Sequence, residues 1–151
     1  MLSEQAQKFL KSAEGKKIVF TNGCFDILHP GHVGYLAAAR ELGDFLVIGL
    51  NSDNSVKKLK GPDRPINNEK NRKFMLEGLK AVDFVEIFDE STPLELIEAL
   101  SPDILVKGGD WEIKDIVGAE FVQAAGGEVY SLAFKDGHST TNLIKKLQGK
   151  S

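Results

Sequence analysis

The sequence predicts an α/β fold with an open, parallel, five-stranded sheet and helices on both of its faces. Five short apolar runs are continuous rather than alternating, as expected for parallel strands buried on both sides. Longer segments with helical spacing separate these runs, and strands that alternate with helices form right-handed crossovers into a parallel sheet. The predicted strands are 18–21, 45–50, 84–88, 104–106 and 128–132, and the predicted helices are 32–42, 68–79, 93–100, 115–125 and 140–147.

Residues at the ends of these helices support their boundaries. Gly43 follows the first helix as a stop signal, and Asn67-Asn68 precedes the second as a cap. Ser91-Thr92-Pro93 offers a cap followed by proline in the first turn of the third helix. A polar helix is also predicted within residues 1–17, ahead of the first strand.

Length and composition predict one soluble domain. The 151 residues are 42% hydrophobic and 27% charged, which is typical of a globular protein with its own core. We expect a single domain over 1–151, with an amino-terminal helix (1–16) and a core (17–148). No internal repeat or linker is evident.

Charge and cysteine content exclude several classes of protein. A net charge of −3 gives no reason to expect a nucleic-acid or anionic-membrane partner. No apolar stretch approaches the roughly 20 residues that span a bilayer. The single cysteine excludes an internal disulfide and, with no signal peptide evident, predicts a cytoplasmic protein.

The segment 21–32 contains the most informative pattern, a turn between the first strand and the first helix. Such a turn offers free backbone N–H groups and the positive end of a helix dipole to a phosphate. Here His29 and His32 flank Pro30 and Gly31. Proline suits the turn, glycine lets a phosphate approach the backbone, and the imidazoles supply hydrogen-bond donors. The pattern therefore predicts a nucleotide-handling enzyme.

Two alternatives compete with this interpretation of the histidines. A histidine taken alone is more often a satisfied surface or core residue than a ligand. A zinc site needs three or four ligands, but the only other histidine is His138 and the only cysteine is Cys24. Pro30 and Gly31 also argue against a helical metal-binding pair.

The segment His29-Pro30-Gly31-His32 resembles the H-x-G-H signature of the nucleotidyltransferase superfamily, which includes the cytidylyltransferases and pantetheine-phosphate adenylyltransferase. The residues 22–28 look like that family's first-strand sequence, and Gly137-His138-Ser139-Thr140-Thr141 looks like its second signature. Two signatures in the right order, about a hundred residues apart, argue against a chance match. The resemblance implies a Rossmann-like nucleotidyltransferase fold.

Further blocks narrow the resemblance to the D-glycero-D-manno-heptose 1-phosphate adenylyltransferases, a family often found as the carboxy-terminal half of a bifunctional kinase/adenylyltransferase. These blocks are Asn51-Ser52-Asp53, 59–62, Arg64-Pro65, 105–111 and 139–144. The resemblance implies transfer of AMP from ATP to heptose 1-phosphate for cell-envelope polysaccharide such as lipopolysaccharide. It also implies a homodimer and Mg²⁺ carried with ATP, without direct side-chain ligation of the metal.

The resemblance carries roles onto individual residues. His29 and His32 are the expected catalytic donors to the triphosphate, together with Lys60 and Arg72. The implied nucleotide-binding positions are Asn22, Gly23, Cys24, Phe25, Asp26, Gly31, Lys58, Asp110, His138, Ser139, Thr140 and Thr141.

The cationic candidates have structural alternatives. Lys57, Lys58 and Lys60 lie in a segment predicted to be a loop after the second strand, where a charge run is usually solvated. In the family a lysine from this loop reaches the phosphates, with Lys60 as the first candidate and Lys58 as the second. Arg72 lies where the family carries an arginine, and a guanidinium is a good bidentate phosphate ligand. A surface salt bridge is the alternative for Arg72.

Other candidates also have a structural interpretation. Asp110 can contact a ribose, support a magnesium ion or form a turn, and Asp26 can orient an imidazole or stabilise its own turn. Ser139 and its two threonine neighbours can cap the last helix and bind phosphate with the same helix end. Cys24 fits a small strand-end residue better than a nucleophile.

Departures from the family pattern define the competing functions. Phe134 stands where cytidylyltransferases carry an arginine, which argues against CTP, and His138 has no assigned contact. The alternative within the superfamily is a cytidylyltransferase that acts on a polyol phosphate or phosphonate. A non-catalytic nucleotide-binding module is a third candidate, and the intact histidine pair argues against it.

Overall fold

The fold is described from a computed structural model, which covers residues 2–133, 144 and 146–149. Five parallel strands form one sheet in the order β3-β2-β1-β4-β5. The predicted fold class is therefore confirmed. The strands are β1 (Ile18–Gly23), β2 (Phe45–Asn51), β3 (Phe84–Phe88), β4 (Ile104–Gly108) and β5 (Glu128–Leu132). The helices are α1 (Glu4–Ser12), α2 (Pro30–Arg40), α3 (Asp53–Lys60), α4 (Glu69–Glu77), α5 (Leu94–Leu100) and α6 (Ala119–Ala124), with a 3₁₀ turn at Ile113–Asp115.

Burial on both faces explains the continuous apolar strands. In β1, Ile18 and Phe20 join a core cluster with α1, α5 and α6, whereas Val19 joins a cluster with α2 and α4 on the opposite face. Val19 and Phe20 have no solvent exposure. Because successive side chains of a strand point to opposite faces, a two-sided core removes the alternation that a half-exposed strand would show.

The boundaries differ from the prediction where polar or turn residues are involved. Helix α2 begins two residues early because Pro30, with its fixed φ, suits the first helical position. Helix α3 was not predicted, since its sequence is mostly polar; it begins after Ser52, whose hydroxyl accepts a hydrogen bond from the Ser55 N–H. The three lysines placed in a loop therefore lie in the last turn of α3.

The predicted helix 115–125 is broken in two. Gly118 separates the 3₁₀ turn from α6 and has a φ of 88°, a left-handed conformation that favours glycine. A Cβ there would lie 2.7 Å from the Cδ1 of Ile97, so the close packing onto α5 also requires glycine. The predicted helix 140–147 lies largely outside the described residues.

Candidate active site

The carboxyl ends of β1, β2 and β4 surround a cavity of about 570 Å³. Strands β2 and β3 are added on one side of β1, whereas β4 and β5 are added on the other, so the strand order switches sides between β1 and β4. Ligands of open α/β sheets bind at this switch point, and the volume is in the range of small-molecule sites. The cavity is lined by Asn22, Gly23, Cys24, Phe25, Asp26, His29, His32, Tyr35, Asn51, Leu59, Lys60, Arg64, Ser91, Thr92, Pro93, Lys107, Gly108 and Val117.

The structure brings the two predicted histidines together. Their rings stack with centroids 3.8 Å apart and an interplanar angle of 24°, and both residues are more than nine-tenths buried. The edge of Phe25 packs against His32 with centroids 5.2 Å apart. His29 is the N-cap residue of α2, and Gly31 is buried between the histidines in its first turn. The helix N-terminus and both imidazoles therefore meet in the cavity.

Burial lowers the pKa of His32 to about 4, and the neighbouring His29 acts in the same direction. A histidine with this pKa is neutral at physiological pH and carries one ring N–H. In the free protein, His32 is thus a neutral hydrogen-bond donor.

The tight turn after β1 depends on Gly23. Phe25 has a φ of 45°, a left-handed conformation that is uncommon for an aromatic residue. This conformation folds its ring back over the strand end, and a Cβ on Gly23 would lie 2.9 Å from Phe25 Cε2. The Gly23-Cys24-Phe25 turn therefore places an aromatic ring beside the histidine pair.

Asp26 is committed to the protein itself. Its fully buried carboxylate accepts hydrogen bonds from Arg64 Nε at 2.7 Å and from the backbone N–H groups of Ile66 and Asn67 at 2.9 Å. Burial alone would raise the pKa of Asp26, but these hydrogen bonds outweigh it and hold the pKa below its ordinary value. The carboxylate fixes the segment 64–67 against the histidine turn, and a nucleotide contact by Asp26 stays a prediction.

Arg72 is buried away from the cavity lining. Its guanidinium donates to the carbonyl oxygens of Asn67 at 2.8 Å, Cys24 at 2.9 Å and Asn51 at 2.7 Å, and to Asp53 Oδ1 at 2.8 Å. These bonds use four of its five N–H groups. The structure therefore does not place Arg72 on the cavity wall. Its guanidinium instead ties the end of β1 to the end of β2.

Of the three lysines on α3, Lys60 lines the cavity and Lys57 and Lys58 do not. At about 100° per residue, Lys58 lies roughly 200° around the helix from Lys60 and points elsewhere. Asp110 is exposed beyond the end of β4 and is also outside the lining. Of the two lysines that the sequence analysis proposed for phosphate contact, the first candidate, Lys60, is thus the one on the cavity wall, and its contact with phosphate stays a prediction.

Cys24 lines the cavity with a protonated thiol. Burial raises its pKa more than the nearby cations Lys60 and Arg72 lower it. A thiolate nucleophile is not favoured in that environment. The predicted nucleotide-binding residues His138, Ser139, Thr140 and Thr141 lie outside the described residues, as does Phe134.

Sequence reasoning missed several residues that line the cavity, notably Lys107, Arg64, Tyr35 and Asn51. Lys107 is the second-last residue of β4, the strand that neighbours β1, so the switch-point rule could have identified it once the strand order was inferred. Tyr35 is buried on α2; burial raises its pKa to about 12, and it shares a hydrogen bond with the Thr21 hydroxyl. No sequence motif marks Tyr35.

The charges in the cavity favour an anion. Asp26 is the only carboxylate among the described lining residues, and Arg64 already pairs with it. Lys60 and Lys107 are then cations without a carboxylate partner in the described part of the chain. The cavity therefore offers two ammonium groups, a helix N-terminus and two imidazoles to one ligand.

Neither a metal cluster nor a membrane span is found in the described residues. Across 2–133, 144 and 146–149, no group of three histidine, cysteine or carboxylate side chains could hold a metal ion. Every helix in that part of the chain is too short or too polar to cross a bilayer.

The known proteins that resemble this chain include several bifunctional HldE proteins. The bifunctional protein HldE of Marinomonas sp. (strain MWYL1) is 58% identical over 137 residues, which cover 91% of this chain and 29% of that protein. The HldE of Wolinella succinogenes is 54% identical over 148 residues, which cover 97% of this chain and 30% of that protein. The chain thus spans less than a third of the length of these relatives.

Solved structures agree with the fold. A lipopolysaccharide core biosynthesis protein of Thermoplasma volcanium superposes with a TM-score of 0.63 at 31% identity, covering 80% of this chain and 98% of that one. Pantothenate synthetase of Thermus thermophilus shares the fold with a TM-score of 0.57 at 16% identity, covering 85% of this chain and 59% of that one.

The profile of the cytidylyltransferase-like family matches residues 20–146, most of the chain. That match includes the histidine turn, reaches every strand of the sheet and contains all the residues that line the cavity. The chain therefore belongs to the cytidylyltransferase-like family and is a nucleotidyltransferase, which confirms the family predicted from its motifs.

Proposed function

We propose that the chain transfers AMP from ATP to D-glycero-D-manno-heptose 1-phosphate and releases pyrophosphate, as a step in the synthesis of a cell-envelope glycan. The observation that carries the proposal is the stacked His29–His32 pair at the N-terminus of α2, inside a cationic cavity. The heptose is supported by the sequence blocks shared with heptose 1-phosphate adenylyltransferases. The HldE relatives and the lipopolysaccharide core biosynthesis protein support the pathway.

The reaction needs positioning and charge stabilisation more than a strong base. An oxygen of the acceptor phosphate attacks the α-phosphorus of ATP, and a new P–O bond forms. The bond between the α-phosphorus and the oxygen that bridges to the β-phosphorus breaks. Pyrophosphate leaves with this bridging oxygen, on the side of the phosphorus opposite the attacking oxygen. The acceptor is a phosphate dianion, already a nucleophile, so no proton has to be removed before the attack.

Negative charge builds up on the leaving pyrophosphate, and the histidine turn is placed to stabilise it. A neutral His32 donates its ring N–H without an anion having to displace a counterion first. The backbone N–H groups of His32 and Val33 already donate to the His29 carbonyl oxygen, so the α2 N-terminus contributes mainly the positive end of its dipole. The imidazole donor and the dipole are fixed before the reaction begins, so they cost little reorganisation during it.

Lys60 supplies mobile positive charge. It is the last residue of α3 and lies on the cavity, and Gly61 follows it with a φ of 106°. Since its side chain is exposed, the ammonium can reach the phosphates as ATP binds. Bringing two anions together requires this kind of cation.

Mg²⁺ is proposed to enter with ATP. The described residues offer no protein cage for the ion, and the Asp26 carboxylate is already engaged. Phosphate oxygens and water would then provide its ligands, as is usual for Mg²⁺ in nucleotide enzymes. Bound there, the ion would neutralise triphosphate charge.

Pyrophosphate release tests the proposal. ATP and CTP are each supplied with heptose 1-phosphate or with glycerol 3-phosphate in the presence of Mg²⁺, and reactions without an acceptor give the background. Of the four combinations, we expect turnover only with ATP and heptose 1-phosphate. Turnover with CTP and glycerol 3-phosphate would replace the proposed substrates by those of a cytidylyltransferase. ATP binding with no turnover on any acceptor would favour a non-catalytic module.

We propose a homodimer on the resemblance and a cytoplasmic location on the single cysteine. Light scattering of the purified chain would test the dimer through its molar mass.

A further inference from the structure

We propose that Lys107 and Trp111 form the subsite for the acceptor, with the Lys107 ammonium binding its phosphate and the Trp111 ring supporting its carbon skeleton. The inference rests on the proposed function, because it assumes that a phosphate monoester is the acceptor. Neither residue has a role in the steps derived above.

The position of Lys107 separates it from the other cavity cations. It lies at the end of β4, whereas Lys60 and Arg64 follow β2, and these two strands flank β1 on opposite sides. An in-line transfer places the entering and leaving groups on opposite sides of the phosphorus. If Lys60 and the histidine turn hold the leaving pyrophosphate, Lys107 is placed to hold the entering phosphate.

The Lys107 ammonium is available to a ligand. Its amine lies 5.2 Å from the centroid of the Trp111 ring, and no hydrogen bond or ion pair to it is found within the described residues. Burial lowers the pKa of Lys107, and the Lys60 cation acts in the same direction. The negative charge of a bound phosphate would raise the pKa of Lys107 and so offset both effects. Anion binding and protonation of Lys107 therefore favour each other.

The loop that carries Trp111 is tied to β5. The Trp111 backbone N–H donates to Ser131 Oγ at 3.0 Å, and that hydroxyl donates to the Gly109 carbonyl at 2.6 Å. Gly109 has a φ of 110°, and a Cβ there would lie 3.1 Å from Trp111 Nε1, so the indole lies close to the glycine. A ring that is nearly half exposed on a tied loop offers its face to a ligand.

A small cavity of about 70 Å³ lies beside the ring and opens next to the main cavity. Lys107 and Asn22 line both cavities, and Trp111 and Asp115 line the small one. Apart from Asn22, Lys107 and Asp115, the lining of the small cavity is apolar. An apolar and aromatic wall with an amide and a carboxylate nearby suits part of a polyhydroxylated carbon chain, whose C–H face stacks while its hydroxyls form hydrogen bonds. A sugar phosphate without a nucleobase matches this set of groups.

Steady-state kinetics of matched lysine variants test the subsite. Lys107→Ala should raise KM for the acceptor by about 10- to 100-fold while KM for ATP changes by less than about threefold. Lys107→Arg should recover part of the loss, since it keeps the charge. Lys114→Ala is the control: it removes the same charge from an exposed side chain that pairs with Glu112 at 3.5 Å, outside both cavities. A rise in KM for ATP alone, or no rise for either substrate, would overturn the proposal.

Trp111 is the single tryptophan of the chain, so its fluorescence reports binding directly. Heptose 1-phosphate, glycerol 3-phosphate and inorganic phosphate are titrated with and without α,β-methylene ATP, which cannot transfer AMP. We expect binding of the acceptor to change the emission of Trp111. Lys107→Ala should raise the Kd obtained from these titrations by about tenfold or more, and Lys114→Ala should leave it unchanged.

The fluorescence measurement separates this inference from the proposed function. If heptose 1-phosphate is not turned over but a phosphate monoester still changes Trp111 emission through Lys107, the subsite stands and only the acceptor was misassigned. If an acceptor is turned over but its binding leaves Trp111 emission unaltered in every titration, the subsite is wrong although the function holds.

Discussion

The charged residues around the histidine turn fall into two groups that differ in their partners. Asp26, Arg64, Asp53 and Arg72 form what we call the charge frame, a set of two ion pairs at 2.7 and 2.8 Å in which Asp26 and Arg72 also bond to backbone groups. Lys60 and Lys107 form what we call the cationic rim, which faces the cavity without a carboxylate partner in the described residues. The frame fixes the shape of the site, and the rim is left for the ligand.

The comparison shows that residue type does not identify a ligand-binding cation. An arginine whose donors are used by carbonyl oxygens cannot bind a phosphate without breaking those bonds. A lysine on the cavity wall has no such commitment. Changes in the frame should therefore act on stability, and changes in the rim on substrate binding.

Arg72→Ala should have the largest effect. It would leave three carbonyl oxygens and the Asp53 carboxylate, which is 31% exposed, without their donor. Breaking a fully buried ion pair costs about 3–5 kcal/mol, and because Asp53 is partly exposed we expect a loss of about 3 kcal/mol. Urea unfolding would measure that loss, with Lys70→Ala on the exposed face of α4 as the control. A variant with native stability that has lost ATP binding would instead make Arg72 the phosphate ligand that the sequence predicted.

His32→Ala should lower turnover by about 100-fold or more, the loss expected when one preorganised donor is removed. His32 shares a property with each group: it is buried like the charge frame, and it lines the cavity like the cationic rim. Pyrophosphate release under saturating substrates would measure the effect. Near-native turnover would remove His32 from the reaction.

The sheet was predictable because burial on both faces leaves a continuous apolar run, as in β2 and β4. The histidine pair was predictable because three-residue spacing around Pro30 fixes both rings on one turn. The frame was not predictable, since Arg72 meets carbonyl oxygens of Cys24 and Asn51, which lie 48 and 21 residues away in sequence. Such convergence depends on strand order, which no local pattern encodes.

Acidification should destabilise the fold through His32. Its pKa is about 4 in the folded chain and about 6.5 when unfolded, so below pH 6.5 the unfolded state takes up a proton that the folded state does not. Stability from the neutral, buried ring is present above pH 6.5 and is lost as pH falls towards 4, by about 1–3 kcal/mol. Urea unfolding at pH 7 and pH 5 would show this loss, and His32→Asn should reduce it. An equal loss in both proteins would assign the titration to other groups.

Lys60→Ala should have the smallest effect of these changes and the most specific one. Because Lys60 is exposed and outside the frame, its removal should leave the free energy of unfolding unchanged within about 0.5 kcal/mol. The efficiency with ATP, kcat/KM, should fall by about tenfold or more, as expected when a charged hydrogen bond to phosphate is lost. Lys57→Ala in the same helical turn removes the same charge outside the cavity and should change neither quantity. Equal effects of the two variants would mean that the rim attracts ATP by general charge alone, whereas a loss confined to Lys60 would place that ammonium on the phosphates.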